Sequence, residues 1–320
     1  MSFPSAVWLG SPLSLPSKGG KECTTTTSSS SFVVTAARVF LMAALGQVIP
    51  QLPVAGRKLL CEAIGTFYLV LTVSMCLQQS EKLFAPIAIG FQLMNQIFAY
   101  GYISGGHLNP AVTGGIYFSG LMPLGDAVKY VLSQTTGGVL ASLFSWFLVG
   151  VSGDFKSPTP ATTTALGVFR AFCCEWIYTA GLVSVVLNVA CSRQKENHHY
   201  GMAIGMTVLA AAFSVGGISG GAFNPAVATS LQLVECAATS CEPLKYFWVY
   251  WLAPFVAALT SSVLFLLIHP PEYAHKPAVV VDTGSASKPF DLTGDLGKSF
   301  APSALLQHNA AGGPPYGTTQ

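Results

Sequence analysis

The chain has 320 residues, of which 51% are hydrophobic and only 9% are charged, and its mean hydropathy is +0.55. This composition argues against a water-soluble domain, because too few charged side chains are present to cover its surface, and it indicates a membrane protein. A formal net charge of +2, with its basic residues scattered along the chain, gives no face for binding nucleic acid.

Six apolar runs are long enough to cross about 30 Å of hydrocarbon, which takes roughly 20 helical residues. In chain order they are residues 58–78, 84–103, 126–150, 168–191, 201–218 and 246–268. Two further apolar pieces, 110–118 and 225–233, are too short to span. Each begins with the proline of an Asn-Pro pair, which suits a first helical turn, so we expect two half-helices that enter the bilayer from opposite faces.

The two ends of the chain lie outside this membrane core, which we expect to occupy residues 57–270 as two repeats, 57–150 and 166–270. Residues 1–56 combine a Ser/Thr-rich stretch with an apolar segment, 32–49, that contains Arg38. This pattern is typical of either a tail with an interfacial helix or a presequence, and both interpretations stay open. Residues 271–320 carry Pro, Gly, Ser and Lys and predict a disordered tail.

Two nine-residue stretches, residues 104–112 and 219–227, match each other at seven of nine positions. Glu62 in the first span also has a counterpart, Glu175 in the fourth, at nearly the same distance from the following Asn-Pro-Ala box. Each repeat has three spans, an odd number, so the second copy must be inverted in the bilayer. The sequence therefore predicts an all-α membrane protein of two inverted repeats, whose half-helices meet at the midplane around one shared pore.

The first residues of the half-helices are the ones we expect to face this pore. They form two boxes, Asn109, Pro110, Ala111 and Asn224, Pro225, Ala226. A helix N-terminus concentrates partial positive charge and unpaired N–H donors, which disfavour cations and make entry of a proton costly. The two carboxamides donate hydrogen bonds to a passing water or alcohol and do not titrate. We expect a pore that passes neutral solutes and excludes ions and protons.

Three titratable side chains near the boxes are expected to support the loops. Glu62 and Glu175 lie within spans, where burial of a carboxylate is expensive. Their symmetric positions predict that each accepts hydrogen bonds from the loop leading into a half-helix. His107 is expected to support the same loop, because no second ligand lies at metal-coordinating spacing. Without a nucleotide-binding or nucleophile motif, we expect no metal, no cofactor and no enzymatic activity.

The short loops indicate how the chain is oriented. Basic residues occur on the side of both termini, at Arg57, Lys58, Arg193, Lys195, Lys276 and Lys288. Cytosolic loops are rich in Lys and Arg, so we expect both termini to be cytosolic, in the plasma membrane or an intracellular membrane. Cys236 and Cys241 then lie in a loop on the opposite side, and whether they form a disulfide is left open by the sequence.

These motifs resemble those of the aquaporin family, also called major intrinsic proteins. The two Asn-Pro-Ala boxes carry most of the resemblance, which covers residues 57–270, and residues 134–138 and 250–254 are similar to further family patterns. The resemblance implies the aquaporin-like fold of six transmembrane helices and two re-entrant half-helices. It also implies a channel for water and small uncharged solutes, assembled as a homotetramer in the lipid bilayer.

The resemblance also implies an outer selectivity filter, and here the chain departs from the family. Counting along the family pattern places the filter at Ile89, Ala212, Gly221 and Val227, and Val227 stands where members usually carry Arg. A small apolar filter costs a partly apolar solute less desolvation, so we expect glycerol or urea to pass with water. Two alternatives stay open: a channel mainly for ammonia, hydrogen peroxide or metalloid hydroxides with low water flux, or a non-conducting membrane scaffold.

Overall fold

The structure is a computed structural model that describes residues 52–79, 82–150 and 155–269. The chain divides into two units, Met1–Arg57 and Lys58–Gln320, and the first is described only from residue 52 onward. Residues 1–51 of the expected N-terminal tail, 1–56, and the whole of the expected C-terminal tail, 271–320, lie outside the described residues.

The described residues form eight α-helices and no β-strand. In chain order these are α1 (Val54–Gln78), α2 (Ala85–Ser104), α3 (Pro110–Phe118), α4 (Leu124–Val149), α5 (Ala165–Val186), α6 (Tyr200–Ser219), α7 (Pro225–Ala238) and α8 (Val249–Ile268). A π-helical turn, Leu187–Cys191, extends α5, and short 3-10 helices occupy Arg193–Glu196 and Glu242–Tyr246. The predicted all-α architecture of six long helices and two half-helices is confirmed.

One of the six long helices differs from the others in polarity. The described chain has five helices long and apolar enough to cross a membrane: α1, α4, α5 with its π-helical turn, α6, and α8 with the preceding 3-10 helix. The remaining long helix, α2, is as long as α6, at 20 residues. It differs in carrying three amide side chains, Gln92, Asn95 and Gln96. Twenty helical residues rise about 30 Å, so α2 matches the hydrocarbon in length although its middle is polar.

The two half-helices differ in length. The first, α3, has the predicted bounds, whereas α7 continues past the predicted end at 233 to Ala238. The carbonyl oxygen of Glu235 accepts hydrogen bonds from two N–H groups that follow α7, those of Thr239 and Ser240. Cys236 and Cys241 form a disulfide at this end, which resolves the alternative that the sequence leaves open.

Packing follows the inverted repeat. Each half-helix packs against the last span of the other half, α3 against α8 and α7 against α4. The second spans of the two halves, α2 and α6, pack against each other, and α5 packs against both α6 and α8. The half-helices are thereby enclosed by long helices, so their irregular entry loops are shielded from lipid.

A pair of glycines brings α4 close to two other helices. A Cβ added at Gly137 would lie 2.1 Å from the carbonyl oxygen of Ala63 on α1. A Cβ added at Gly138 would lie 2.3 Å from Oγ of Ser230 on α7. A larger residue at Gly137 would push the backbone of α1 away, and one at Gly138 would displace the Ser230 side chain, so the two glycines allow α4 to approach both helices closely.

We expect Gly137→Ala to destabilise the protein by about 1–3 kcal/mol, because its methyl group meets the backbone of α1 and forces the helices apart. Gly125→Ala in the same helix is the matched control, since nothing lies within 4 Å of an added Cβ there. Thermal unfolding of the detergent-purified variants measures the difference. Equal midpoints for the two variants would contradict the close approach of α4 to α1.

Candidate functional site

The site begins with the N-terminal ends of the two half-helices. Asn109 caps α3 because its Oδ1 accepts a hydrogen bond from the N–H of Ala111 at 2.8 Å. Asn224 caps α7 in the same way, with the N–H of Ala226 at 3.0 Å. Proline occupies the first position of each helix, where a missing N–H has no intrahelical partner to lose. The same short phrase therefore builds the same helix start twice.

Reciprocal hydrogen bonds join the two boxes. Nδ2 of Asn109 donates to the carbonyl oxygen of Phe223 at 2.8 Å, and Nδ2 of Asn224 donates to that of Leu108 at 2.9 Å. Leu108 and Phe223 adopt left-handed backbone conformations, with φ of 49° and 48°. A carboxamide nitrogen carries two hydrogens, so each asparagine holds the opposite loop with one and has a second that this pair of bonds does not use.

Glu62 organises the loop that leads into α3. Its Oε1 accepts hydrogen bonds from Oγ of Ser104 at 2.6 Å and from the N–H of His107 at 3.0 Å. Its Oε2 accepts from the N–H of Leu108 at 2.8 Å and from Nε2 of Gln134 at 2.8 Å. The carboxylate is fully buried, and four donors compensate its lost hydration.

Glu175 does the same for the loop that leads into α7, with one donor fewer. Its Oε1 accepts from Oγ of Ser219 at 2.7 Å and from the N–H of Ala222 at 3.0 Å. Its Oε2 accepts from the N–H of Phe223 at 2.7 Å. Glu175 is also fully buried. Both carboxylates therefore accept hydrogen bonds from the backbone of the loop before a half-helix.

Two buried tyrosines complete these networks. Tyr130 is not singled out by the sequence, and Tyr250 stands out there only as part of a family pattern. The hydroxyl of Tyr130 on α4 donates to the carbonyl oxygen of Ser104 at 2.7 Å, and that of Tyr250 on α8 donates to Ser219. A signal exists, because Tyr130 precedes Gln134 by the same four residues by which Tyr250 precedes Pro254. Because α7 is longer than α3, Tyr250 lies farther from its Asn-Pro-Ala box than Tyr130 does, so the two tyrosines do not stand out as a repeat.

His107 is buried, with 8% of its surface exposed, and lines the same cavity as the two asparagines. Its Nδ1 is 3.1 Å from Oγ1 of Thr113, and its ring centroid is 4.9 Å from that of Tyr130. Oγ1 of Thr113 also accepts from Nε2 of Gln134 at 3.0 Å. The described residues contain no group of His, Cys, Asp or Glu that could hold a metal ion. Its backbone N–H donates to Glu62 and its ring contacts Thr113, so His107 takes part in the hydrogen bonds around the first loop.

A cavity of about 30 Å³ lies where the half-helices meet the long helices. One buried water molecule needs roughly 10–15 Å³ of such a cavity, so two or three water molecules fit in it. Its polar lining comes from Asn109, Asn224 and His107 and from the loop backbone at Gly106 and Gly221. No Asp, Glu, Lys or Arg is among its lining residues.

The apolar wall of the cavity follows the inverted repeat residue by residue. Residues at equal distances from matching points of the two halves form pairs; the matching points are the two buried glutamates, the ends of α2 and α6, and the two boxes. The pairs are Leu69 with Leu182, Val73 with Val186, Ile89 with Ile204, Leu93 with Val208, and Val112 with Val227. Each pair takes one residue from each half of the chain. The wall is therefore a nearly symmetric apolar tube around the two asparagines.

Three of the four residues predicted for the filter lie at this cavity. Ile89, Gly221 and Val227 line it. Ala212 is not among its lining residues and packs instead in a cluster with Val215 and Phe223. Val208, one helical turn earlier on α6, forms the corresponding part of the wall.

Comparisons of the sequence with known proteins agree on one family. The family described as Major intrinsic protein matches residues 55–265, more than half of the chain. Aquaporin NIP1-4 of Oryza sativa subsp. japonica is 32% identical over 218 residues, which cover 66% of this chain and 77% of the relative. Nodulin-26 of Glycine max is 31% identical over 229 residues, covering 69% and 80%. The glycerol uptake facilitator protein-like 6 of Lactiplantibacillus plantarum is 31% identical over 211 residues, covering 64% and 95%.

A solved structure agrees with these relatives. The aquaglyceroporin from Plasmodium falciparum matches with a TM-score of 0.60 at 21% identity, covering 68% of this chain and 98% of that chain. At this identity the similarity establishes the fold. Together with the apolar helices, the comparisons confirm the predicted family and identify an integral membrane channel for water and small solutes that is not an enzyme. The chain belongs to the major intrinsic protein family.

Proposed function

We propose that the protein is a passive channel for water and small neutral solutes of the glycerol or urea class. The observation that carries this proposal is the cavity wall, in which five apolar pairs surround only two carboxamides and one imidazole. A solute with both CH groups and hydroxyl or amide groups finds apolar contact on the wall and hydrogen bonds at Asn109 and Asn224. Charged solutes find no counter-ion among the lining side chains.

Exclusion of ions and protons is proposed to come from the paired Asn-Pro-Ala boxes. The N-termini of α3 and α7 converge there and present their partial positive charge from both halves of the chain. A cation meets this potential after losing most of its hydration in the apolar tube. Because the carboxamides cannot titrate, they offer no stepping site for a proton.

The proposed selectivity filter is Ile89, Ala212, Gly221 and Val227, and the cavity wall adds Val208 to it. All five residues are small or aliphatic and none has a polar side chain. Val227 takes the position at which members of the family usually carry Arg, and its symmetric counterpart is another valine, Val112. This uniformly apolar lining selects solutes by their size and not by their charge.

The setting of the channel is proposed from the same family and sequence features. Basic loop residues favour cytosolic termini, in the plasma membrane or an intracellular membrane. The channel domain is proposed to extend over residues 57–270. The assembly is proposed to be a homotetramer, in which each protomer has its own pore.

Stopped-flow light scattering on proteoliposomes tests the proposed function. We expect fast shrinkage in an impermeant osmolyte and fast re-swelling in glycerol and in urea, against protein-free liposomes as the control. Fast shrinkage alone would restrict the permeant to water. Slow shrinkage with rapid uptake of ammonia or hydrogen peroxide would favour the low-water alternative, and no flux of any solute would favour a scaffold.

A further inference from the structure

The inverted repeat gives the proposed filter a counterpart on the side of α3. Ile89 is the fifth residue of α2, and Ile204 is the fifth residue of α6, a helix of the same length. Counting from the ends of these helices and from the two boxes pairs every filter residue in this way. The filter, here named the α7-side ring, is Ile89, Ala212, Gly221 and Val227, and its counterpart, the α3-side ring, is Ile204, Ile97, Gly106 and Val112.

The α3-side ring meets the cavity in the same way as the filter does. Gly106, Val112 and Ile204 line the cavity and Ile97 does not, just as three residues of the α7-side ring line it and Ala212 does not. Ile97 lies behind Gly106, because a Cβ added at Gly106 would be 3.6 Å from Cγ2 of Ile97. The cavity at the two asparagines is therefore lined by two rings of the same pattern, one on the side of each half-helix.

The α3-side ring is the more enclosed of the two. Ile204 has 5% of its surface exposed, whereas Ile89, at the same position of its helix, is half-buried. Ile97 is buried, whereas its counterpart Ala212 is half-buried. The glycines of the two rings differ in the same sense, and the valines are equally buried. A water-sized probe therefore reaches the α7-side ring more easily than the α3-side ring.

Side-chain packing gives the reason for this difference. Ile97, Val112 and Ile204 belong to one hydrophobic cluster, and aliphatic side chains in such clusters interdigitate with few gaps. Ala212 packs instead in a separate cluster that contains Phe223. The α3-side ring thus has an isoleucine that closes up with the pore-lining residues, where the α7-side ring has a small residue packed away from them.

The neighbouring residues of the two rings add to the difference. His107 follows the glycine of the α3-side ring, and Ala222 follows that of the α7-side ring. Both residues line the cavity. An imidazole occupies more space than a methyl group, so the cavity is narrower beside the α3-side ring.

We propose that the α3-side ring, centred on Ile204, is a second selectivity filter and the narrower of the two, so that it sets the largest neutral solute that passes. The inference rests on the proposed function and assigns its size limit to residues outside the α7-side ring. When two barriers stand in series, the higher one dominates the rate of passage. With cytosolic termini, as proposed, this ring lies on the cytosolic side of the asparagines.

Truncation of one isoleucine in each ring tests the assignment. Ile204→Ala is expected to raise the glycerol permeability of proteoliposomes about tenfold, the lower end of what one methylene changes in an apolar pocket. Water permeability should rise less, and the longer polyol erythritol should begin to enter. Ile89→Ala is the matched variant, because it makes the same truncation in the ring that is not limiting, and it should raise glycerol permeability less. An equal or larger rise for Ile89→Ala would overturn the assignment.

A second pair of variants does not depend on the folding of Ile204→Ala. Val112 and Val227 are 3% and 2% exposed, so truncation to alanine removes the same group from equally buried positions. Val112→Ala is expected to raise the ratio of glycerol to water permeability more than Val227→Ala does. A larger rise for Val227→Ala would place the limit at the α7-side ring. Size-exclusion chromatography checks that all four variants are folded before flux is compared.

These outcomes separate the ring from the proposed permeants. A wild type that passes water but not glycerol, together with glycerol flux through Ile204→Ala, would refute the glycerol class and support the ring. A wild type that passes glycerol, with equal effects of the two variants in each pair, would refute only the ring. No flux of any solute through the wild type or through folded Ile204→Ala would refute both.

Discussion

Replacing Glu62 with alanine is expected to leave the channel largely unfolded. The change removes the common acceptor of four hydrogen bonds, two of them from the backbone of the loop before α3. Each buried donor left without a partner costs about 1–3 kcal/mol, so four of them reach the whole stability of a typical domain, about 5–15 kcal/mol. Size-exclusion chromatography of the solubilised protein measures the folded fraction.

Two further variants serve as comparisons for the folded fraction of Glu62→Ala. Glu175→Ala is expected to be damaging but milder, because Glu175 has three donors where Glu62 has four. Glu242→Ala is the control, since Glu242 forms an exposed pair with Lys245 and such pairs contribute little. Normal folding of Glu62→Ala together with a changed proton conductance would contradict the structural role and favour a proton relay.

Val227→Arg is expected to reduce glycerol and urea permeability at least about tenfold, equivalent to ~1.4 kcal/mol of added barrier. The valine side chain lines a cavity of about 30 Å³, and a guanidinium there fills the space and adds a charge with five fixed donors. Water, being smaller and better hydrogen-bonded to such donors, should lose less flux than glycerol. The measurement is the ratio of glycerol to water permeability in proteoliposomes.

Val227→Leu separates size from charge in this experiment. It adds volume at the same place without any donor, so it should slow all solutes with little change in the permeability ratio. Assembly should be intact in both variants, because Val227 takes no part in the hydrogen bonds that join the two boxes. An unchanged ratio for Val227→Arg would show that the filter lies elsewhere along the pore.

The half-helices show which parts of the fold are local in origin. Their starts are predicted to the residue, because Asn-Pro both caps a helix and begins it within three residues. The end of α7 at Ala238 is not predicted, since no proline or glycine interrupts the chain there and the hydropathy falls gradually. Where a boundary has a local stop signal the sequence suffices, and elsewhere the surrounding helices decide.

The supporting networks show the complementary case. Repetition alone points to Glu62 and Glu175, and their symmetric placement predicts their acceptor role. Gln134 and Tyr130 lie far along the chain on α4, and only the packing of α4 against α1 and the first loop brings them to Glu62 and Ser104. Hydrogen-bond partners on different helices depend on how the helices pack, because their distance along the chain does not indicate that they meet.

The sequence by itself determined the membrane setting, the inverted repeat, the two boxes and the family, since each is encoded in composition or in a repeated local phrase. Only the tertiary structure decided which side chains line the cavity at the two asparagines. Counting along a helix identifies a face but not how far the helix has turned toward its neighbours, so Ala212 of the proposed filter does not line the cavity, whereas Val208, one turn earlier on α6, does. The closer enclosure of Ile204 than of Ile89 likewise becomes visible only after folding, because exposure depends on what the rest of the chain leaves uncovered.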